Sequence, residues 1–227
     1  MRLPDGWVVP ESTGFGACAD EPDRAGRCAR VYDGPMKHPD RLFYTGDEAA
    51  DRLIATDPLA LLIGFTLDQQ VTVQKAFSGP LELTRRTGRP LDARAIAQMD
   101  PAELAGIFQE RPALHRFPGA MAGRVQALCA AVATDYDNDA ASIWTDAADA
   151  RDLQKRLLAL PGIGEMKART IGAVLAKRYG LDLPGLADSL PKHPTLGDVD
   201  SAEALATYQA GKRAYKATLR AAGDANG

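Results

Sequence analysis

The segment from Leu160 to Gly164, Leu-Pro-Gly-Ile-Gly, has the clearest chemical potential in this 227-residue chain. Two glycines separated by one apolar residue can turn the backbone with positive φ and let a ligand come close, so Gly162, Ile163 and Gly164 are its predicted contacts. Segments with helical apolar spacing flank the turn, so the second helix begins with free N–H groups at its positive dipole end. Such a helix start binds anions such as phosphate. The segment is therefore predicted to be a helix–hairpin–helix turn that grips a nucleic-acid backbone.

Two cations follow this turn on the second predicted helix, Lys167 and Arg169. Lysine and arginine side chains at such a place neutralise phosphates and fix the register of a protein on a nucleic acid. Both residues are predicted to contact the DNA backbone, and a solvated helix face is the alternative interpretation. The loop residues His115 and Arg116 are a further candidate for a position near DNA.

The composition favours an all-α fold, because alanine is abundant and β-branched residues are sparse and scattered. Hydrophobic residues make up 45% and charged residues 25% of the chain, which is enough for a globular core. The formal net charge of −3 is not typical of a nucleic-acid-binding protein. Nucleic-acid binding therefore requires a local basic face.

The cysteines predict neither a disulfide framework nor a metal site. Cys18, Cys28 and His38 are widely spaced and lack a fourth ligand, and Cys129 lies on an apolar helix face. No apolar run approaches a membrane span, and the N-terminus lacks the pattern of a secretory signal. The predicted compartment is the cytoplasm, without a membrane partner.

The chain divides into an irregular N-terminal extension at 1–44, rich in Gly, Pro, Asp and Arg, and a helical domain at 45–227. A break is predicted at Ser78-Gly79-Pro80. Helices are predicted at about 47–55, 59–69, 71–77, 81–86, 92–98, 101–109, 120–135, 151–159, 167–179 and 201–221. The exposed face of the last helix is basic, with Lys212, Arg213, Lys216 and Arg220.

Three stretches resemble the helix–hairpin–helix DNA glycosylases, the HhH-GPD superfamily, and the pattern is closest to the 3-methyladenine branch. Leu160–Gly164, followed by Ala168, is similar to the family hairpin. The Leu-Asp-Gln-Gln-Val sequence at 67–71 is similar to a paired-glutamine segment of that branch. Pro118-Gly119, opening a helix that carries Arg124, resembles the helix that precedes the hairpin pair.

The resemblance covers roughly residues 46–222 and implies a bundle of two helical lobes. It implies that Gln69 or Gln70 lies near the lesion pocket or wedges into DNA. The alternative is that both are structural amides at the end of a helix. The implied partner is duplex DNA with a damaged base, which such enzymes rotate out of the stack. The implied protein is a monomer associated with the nucleoid.

The family chemistry breaks the N-glycosidic bond through an oxocarbenium-like state that a carboxylate stabilises, much as in glycoside hydrolysis. The usual spacing would place this carboxylate near 183–187, where the chain has no acid. Asp188 is the nearest match and Asp198 the second candidate. Solvated loop acids or helix caps are the alternative for both.

The departures from the family pattern refine the expected activity. Met166 stands where relatives with lyase activity carry a lysine, which favours a monofunctional glycosylase that uses water, acting on an alkylated base. No cysteine follows Cys129, so no iron–sulfur cluster and no other cofactor is expected. The resemblance allows a monovalent cation on the carbonyls of the Leu160–Gly164 hairpin.

Two other functions fit the same residues. One is a DNA-binding or damaged-DNA-binding protein that keeps the fold without a catalytic acid, which the acidic net charge favours. The other is an α-helical interaction protein that uses the hairpin only as a turn.

Overall fold

The computed structural model describes residues 37–224, with the backbone alone at 215, 216 and 219–224. This part of the chain is helical without any strand, so the all-α prediction is confirmed. The helices are α1 Glu48–Thr56, α2 Pro58–Leu67, α3 Val73–Thr87, α4 Ala93–Gln98, α5 Pro101–Gln109, α6 Pro118–Asp135, α7 Ser142–Thr145, α8 Ala150–Ala159, α9 Glu165–Arg178, α10 Leu186–Ser189 and α11 Ala202–Asp224, with a 3-10 turn at Leu196–Asp198 before α11.

Aspartate N-caps define where many of these helices begin. Asp47, Asp57, Asp92, Asp100 and Asp149 each accept hydrogen bonds from N–H groups in the first turn of the following helix. An N-cap of this kind contributes about 1 kcal/mol, because it satisfies donors that have no partner inside the helix. The helix starts are therefore encoded locally.

The fold is organised around α2, which is apolar on every side and packs against α1, α3 and α6. A helix without a polar face has no favourable surface position, so it occupies the centre of the core. The contact with α3 is close because Gly64 has no side chain. A Cβ added there would lie 2.5 Å from the Phe77 ring.

The predicted break at Ser78-Gly79-Pro80 is wrong, because α3 runs through it from Val73 to Thr87. A proline inside a helix removes a hydrogen bond and costs about 3 kcal/mol. Here the local preference is outweighed by packing: Pro80 is buried, and Leu67 fills the space left by Gly79, 2.5 Å from where a Cβ would stand. The helix ends at Gly88, whose φ of 68° forms a left-handed C-cap.

Residues 37–44, at the end of the predicted extension, pack on the helical domain. Leu42 and Tyr44 are fully buried, and the Tyr44 hydroxyl donates to the Leu196 carbonyl at 2.8 Å. The ring of His38 packs edge-on against that of Tyr179. Residues 1–36 lie outside the described residues, and so do two of the three side chains weighed as metal ligands, Cys18 and Cys28.

After α9 the chain forms the short helix α10 and the Leu196–Asp198 turn before α11 begins. The Ser201 hydroxyl accepts the Ala204 N–H at the start of α11. None of the helices described is long and apolar enough to cross a membrane.

Candidate nucleic-acid interface

The predicted hairpin is present as the connection between α8 and α9. The Ile163 N–H donates to the Leu160 carbonyl at 3.2 Å, and both side chains are buried, so the turn is anchored in the core. Gly162 has a φ of +84°, and a Cβ there would lie 3.4 Å from Thr66 Cγ2 at the end of α2. The conformation of the turn and its contact with α2 both explain a glycine at 162.

Neither explanation applies to Gly164, the N-cap of α9. Its φ of −91° and ψ of 177° are open to any residue, and no atom lies within 4 Å of an added Cβ. No described side chain caps this helix start, although a Ser, Thr, Asp or Asn here would do so. The first N–H groups of α9 therefore remain accessible from solvent beside a glycine that the protein's own packing does not require.

The hairpin forms one side of an open cleft of about 680 Å³. The segment after α2 and helix α6 also contribute to its lining. The residues that line the cleft are Gln69, Arg124, Gly162, Ile163, Gly164, Glu165, Met166 and Lys167. The cleft thus brings together predicted DNA contacts from two distant parts of the chain.

Gln69 is held by three neighbours. Its Nε2 donates to the Thr66 carbonyl at 3.0 Å, and its Oε1 accepts from the Arg124 guanidinium. Its carbonyl lies 2.8 Å from Nε2 of His115, whose Nδ1 accepts the Phe117 N–H at 3.0 Å. Because Nδ1 accepts, the neutral ring carries its proton on Nε2 and donates to Gln69. The buried His115 therefore fixes the wall of the cleft.

Lys167 does not extend into solvent but turns back over the hairpin. Its Nζ lies 3.3 Å from the Thr66 carbonyl and 3.2 Å from the Gly162 carbonyl, so it ties the hairpin to the end of α2. Burial lowers the pKa of Lys167 to about 8; Asp68 opposes that shift and Arg124 adds to it. The amine is therefore a cation at neutral pH that is ready to lose its proton in mild alkali.

Three other residues lie on or beside the rim. Met166 lines the cleft and is 76% exposed, which is unusual for a large apolar residue. Gln70 is exposed, with a positive φ of 55°, and follows Gln69 directly without lining the cleft. Arg169 is exposed and pairs with Glu165 at 2.5 Å.

Asp198 lies at the far end of α9 from the hairpin. Its carboxylate is 2.6 Å from Nζ of Lys177 and accepts both the N–H and the hydroxyl of Thr195. Partial burial alone would raise the pKa of Asp198, but the hydrogen bonds from Lys177 and Thr195 lower it below its ordinary value. Lys177 is twelve residues beyond Glu165, roughly 18 Å along the helix axis.

Asp188 is exposed on the short helix α10. That helix follows Pro184, whose carbonyl accepts the Ala150 N–H at the start of α8, the end opposite the hairpin. The structure therefore brings neither predicted catalytic acid to the cleft, and their catalytic role stays a prediction. Two other carboxylates are near this site: Glu165 lines the cleft, and Asp68 interacts electrostatically with the Lys167 amine.

Arg124 is a cleft residue that the sequence did not single out as a DNA contact. It meets Gln69 across 55 positions of the chain, and no local pattern predicts such a contact. Met166 was interpreted only through the lysine it replaces, and its exposure at the rim had no sequence signal.

No family model, curated protein or solved structure matches the chain. Within the described residues there is no group of three or more His, Cys, Asp or Glu side chains arranged to hold a metal ion. One hairpin carbonyl, that of Gly162, is occupied by the Lys167 amine. The monovalent cation suggested for the hairpin stays a prediction.

Proposed function

We propose that the cleft binds the phosphate backbone of duplex DNA. The proposal is carried by the position of Gly164 at the start of α9, where it lines the cleft and no side chain caps the helix. Neither its backbone conformation nor a neighbouring atom requires a glycine there. A phosphate oxygen at this point would accept from the first N–H groups of α9, and the absent side chain leaves room for its approach.

Two cations complete the proposed site. Lys167 and Arg124 both line the cleft and would neutralise phosphates next to the one held at Gly164. The exposed side chains of Met166 and Gln70 at the rim would contact sugars or bases rather than phosphates. Backbone contacts of this kind position a duplex without reading its sequence.

For the reaction, we propose a monofunctional DNA glycosylase on the helix–hairpin–helix fold that hydrolyses the bond to an alkylated base. The support is the resemblance of the hairpin and of the Gln69-Gln70 segment to that superfamily, together with Met166 in the place of the lyase lysine. A carboxylate would stabilise the developing oxocarbenium ion. Asp188 and Asp198 are the candidates that the resemblance offers.

A DNA-binding protein without catalytic activity is the second candidate. It is favoured by the distance of both acids from the cleft and by the ion pair that holds Asp198 on Lys177. In this function the same cleft grips the duplex, and the protein marks or protects a site rather than cutting a bond.

Base release from a duplex with a single alkylated base separates these two functions. The wild type is expected to produce abasic sites, seen as strand cleavage after alkali. Loss of the catalytic carboxylate, in Asp188→Asn or Asp198→Asn, is expected to lower the rate by roughly 100-fold, as when one charge-stabilising group is removed from an active site. Asp182→Asn, which removes another exposed loop acid, serves as the control. A wild type that binds the duplex and releases no base identifies the non-catalytic function.

Duplex affinity is expected to fall as the pH rises from 7 to 9.5, because the pKa of Lys167 is about 8 in the free protein. The protonated amine attracts phosphate and the neutral amine does not, so deprotonation removes one ionic contact. Lys167→Arg keeps its charge over this range and is expected to abolish the decrease. Fluorescence anisotropy at constant ionic strength measures the duplex affinity at each pH. Lys192→Arg, at an exposed loop position, is the control. The same pH profile in Lys167→Arg and wild type would contradict a role for this amine.

A further inference from the structure

The second half of α11 has no buried residue among those whose side chains the structure describes. Leu205 is the one buried residue of the whole helix among those described, and from Ala210 onward every described side chain is exposed. Fifteen residues, 210–224, extend this helix by roughly 22 Å beyond Gln209. A helix this exposed gains little stability from burial, so its composition is free to serve a partner.

The sequence of this segment, residues 210–224, is basic although the protein as a whole is acidic. It contains Lys212, Arg213, Lys216 and Arg220 against the single acid Asp224, in a chain with a net charge of −3. Positions 212, 216 and 220 recur every four residues and therefore share one side of the helix. Such a row of cations is complementary to a phosphate backbone.

A pair of glutamines joins the residue before this segment to α3, the helix that follows the Gln69-Gln70 stretch. Gln209 and Gln74 exchange hydrogen bonds between their amides, at 2.8 and 3.4 Å. Gln74 lies in the first turn of α3, four residues after Gln70. Gln209 therefore lies beside the start of α3, close along the chain to the cleft residue Gln69, and Lys212 follows Gln209 by less than one turn.

We propose that residues 210–224 of α11 form a second DNA-backbone contact, which binds phosphates of the duplex beyond those held in the cleft. This inference rests on the proposed binding of DNA by the cleft. The helix adds ionic contacts without any base readout, so it extends the length of duplex covered and steepens the salt dependence of binding.

The test removes four charges by Lys212→Gln, Arg213→Gln, Lys216→Gln and Arg220→Gln in one variant. Glutamine is a good helix former, so the segment stays helical, which circular dichroism verifies. A matched variant removes four exposed cations from other surfaces by Arg52→Gln, Arg151→Gln, Lys155→Gln and Lys192→Gln. Both variants carry the same net charge, so a difference between them reports position.

Binding is measured by anisotropy at several salt concentrations on two duplexes, one of about 8 base pairs that spans the cleft alone and one of about 25. The α11 variant is expected to bind the long duplex at least tenfold more weakly, with the slope of log K against log salt reduced by about 3. Its affinity for the short duplex is expected to stay within twofold of wild type, and the matched variant to lose less on the long duplex.

Each contrary result has a distinct meaning. A loss that is equal on both duplexes, or equal in the matched variant, overturns the α11 contact and leaves the cleft intact. If the wild type binds neither duplex and Gly164→Leu behaves in the same way, the proposed function and this inference are overturned together. Light scattering tests whether the segment binds a second copy of the chain instead. If the wild type self-associates, the α11 variant does not, and both bind the long duplex equally well, the proposed DNA contact of α11 is overturned.

Discussion

Gly164→Leu is expected to weaken duplex binding by roughly 100-fold, about 2.7 kcal/mol, while leaving the fold unchanged. The φ and ψ of Gly164 suit leucine, and no protein atom lies within 4 Å of the added Cβ, so the side chain has room in the free protein. The same side chain would occupy the space over the first N–H groups of α9, where the phosphate is proposed to bind. Anisotropy titration and thermal unfolding measure the two effects separately.

Gly164→Ser tests the same helix start with a side chain that can cap it. A serine N-cap would accept the N–H groups at the start of α9 and is expected to stabilise the protein by about 0.5 kcal/mol. Because it occupies the groups that the phosphate needs, it is also expected to weaken DNA binding several-fold. Gly106→Leu, on the exposed face of α5 with nothing within 4 Å of its Cβ, is the control. Full duplex affinity in Gly164→Leu would exclude the helix start as the anchor.

Gly162 differs from Gly164 because it is needed for the fold rather than for the proposed phosphate contact. Gly162 is required inside the protein, since its φ is +84° and its Cα faces Thr66. The Thr66 carbonyl in turn accepts from both Gln69 and Lys167. One carbonyl near the C-terminal end of α2 therefore holds one side chain from each wall of the cleft, where the negative end of the helix dipole favours a cation.

Most helices and the hairpin were predictable from sequence because their signals are local. Aspartate caps such as Asp100, the apolar α2 and the turn at Leu160–Gly164 each act within a few residues. Pro80 misled the prediction because the compensation for it comes from Leu67, a residue on another helix. Local propensity yields to tertiary packing wherever burial contributes more than the broken helical hydrogen bond costs.

The candidate site was predictable only in part. Gly162, Gly164 and Lys167 could be placed together because the turn itself joins them. The contact of Arg124 with Gln69 depends on how α6 packs beside α2, which no short motif encodes. The position of Asp198 depends on the path of the chain after α9, and that path is set by a backbone contact rather than by a pattern of residue types.

That backbone contact makes Gly197→Ala the substitution with the largest expected effect on stability, a loss of about 3 kcal/mol. The Leu196–Asp198 turn lies directly on α9, and a Cβ on Gly197 would stand 2.6 Å from the Ala173 carbonyl oxygen. Backbone atoms of a buried helix cannot move aside as a side chain can, so the turn must lift away.

Lifting this turn would also disrupt the Tyr44 hydrogen bond to Leu196 and the ion pair between Asp198 and Lys177. Urea unfolding measures the loss. Gly211→Ala, at an exposed position inside α11 with nothing within 4 Å, is the control and is expected to stabilise that helix by about 0.5–1 kcal/mol. A Gly197→Ala protein as stable as wild type would mean that the turn is not held against α9 in solution. Asp198 would then be free to reach a substrate from a position other than the one beside Lys177.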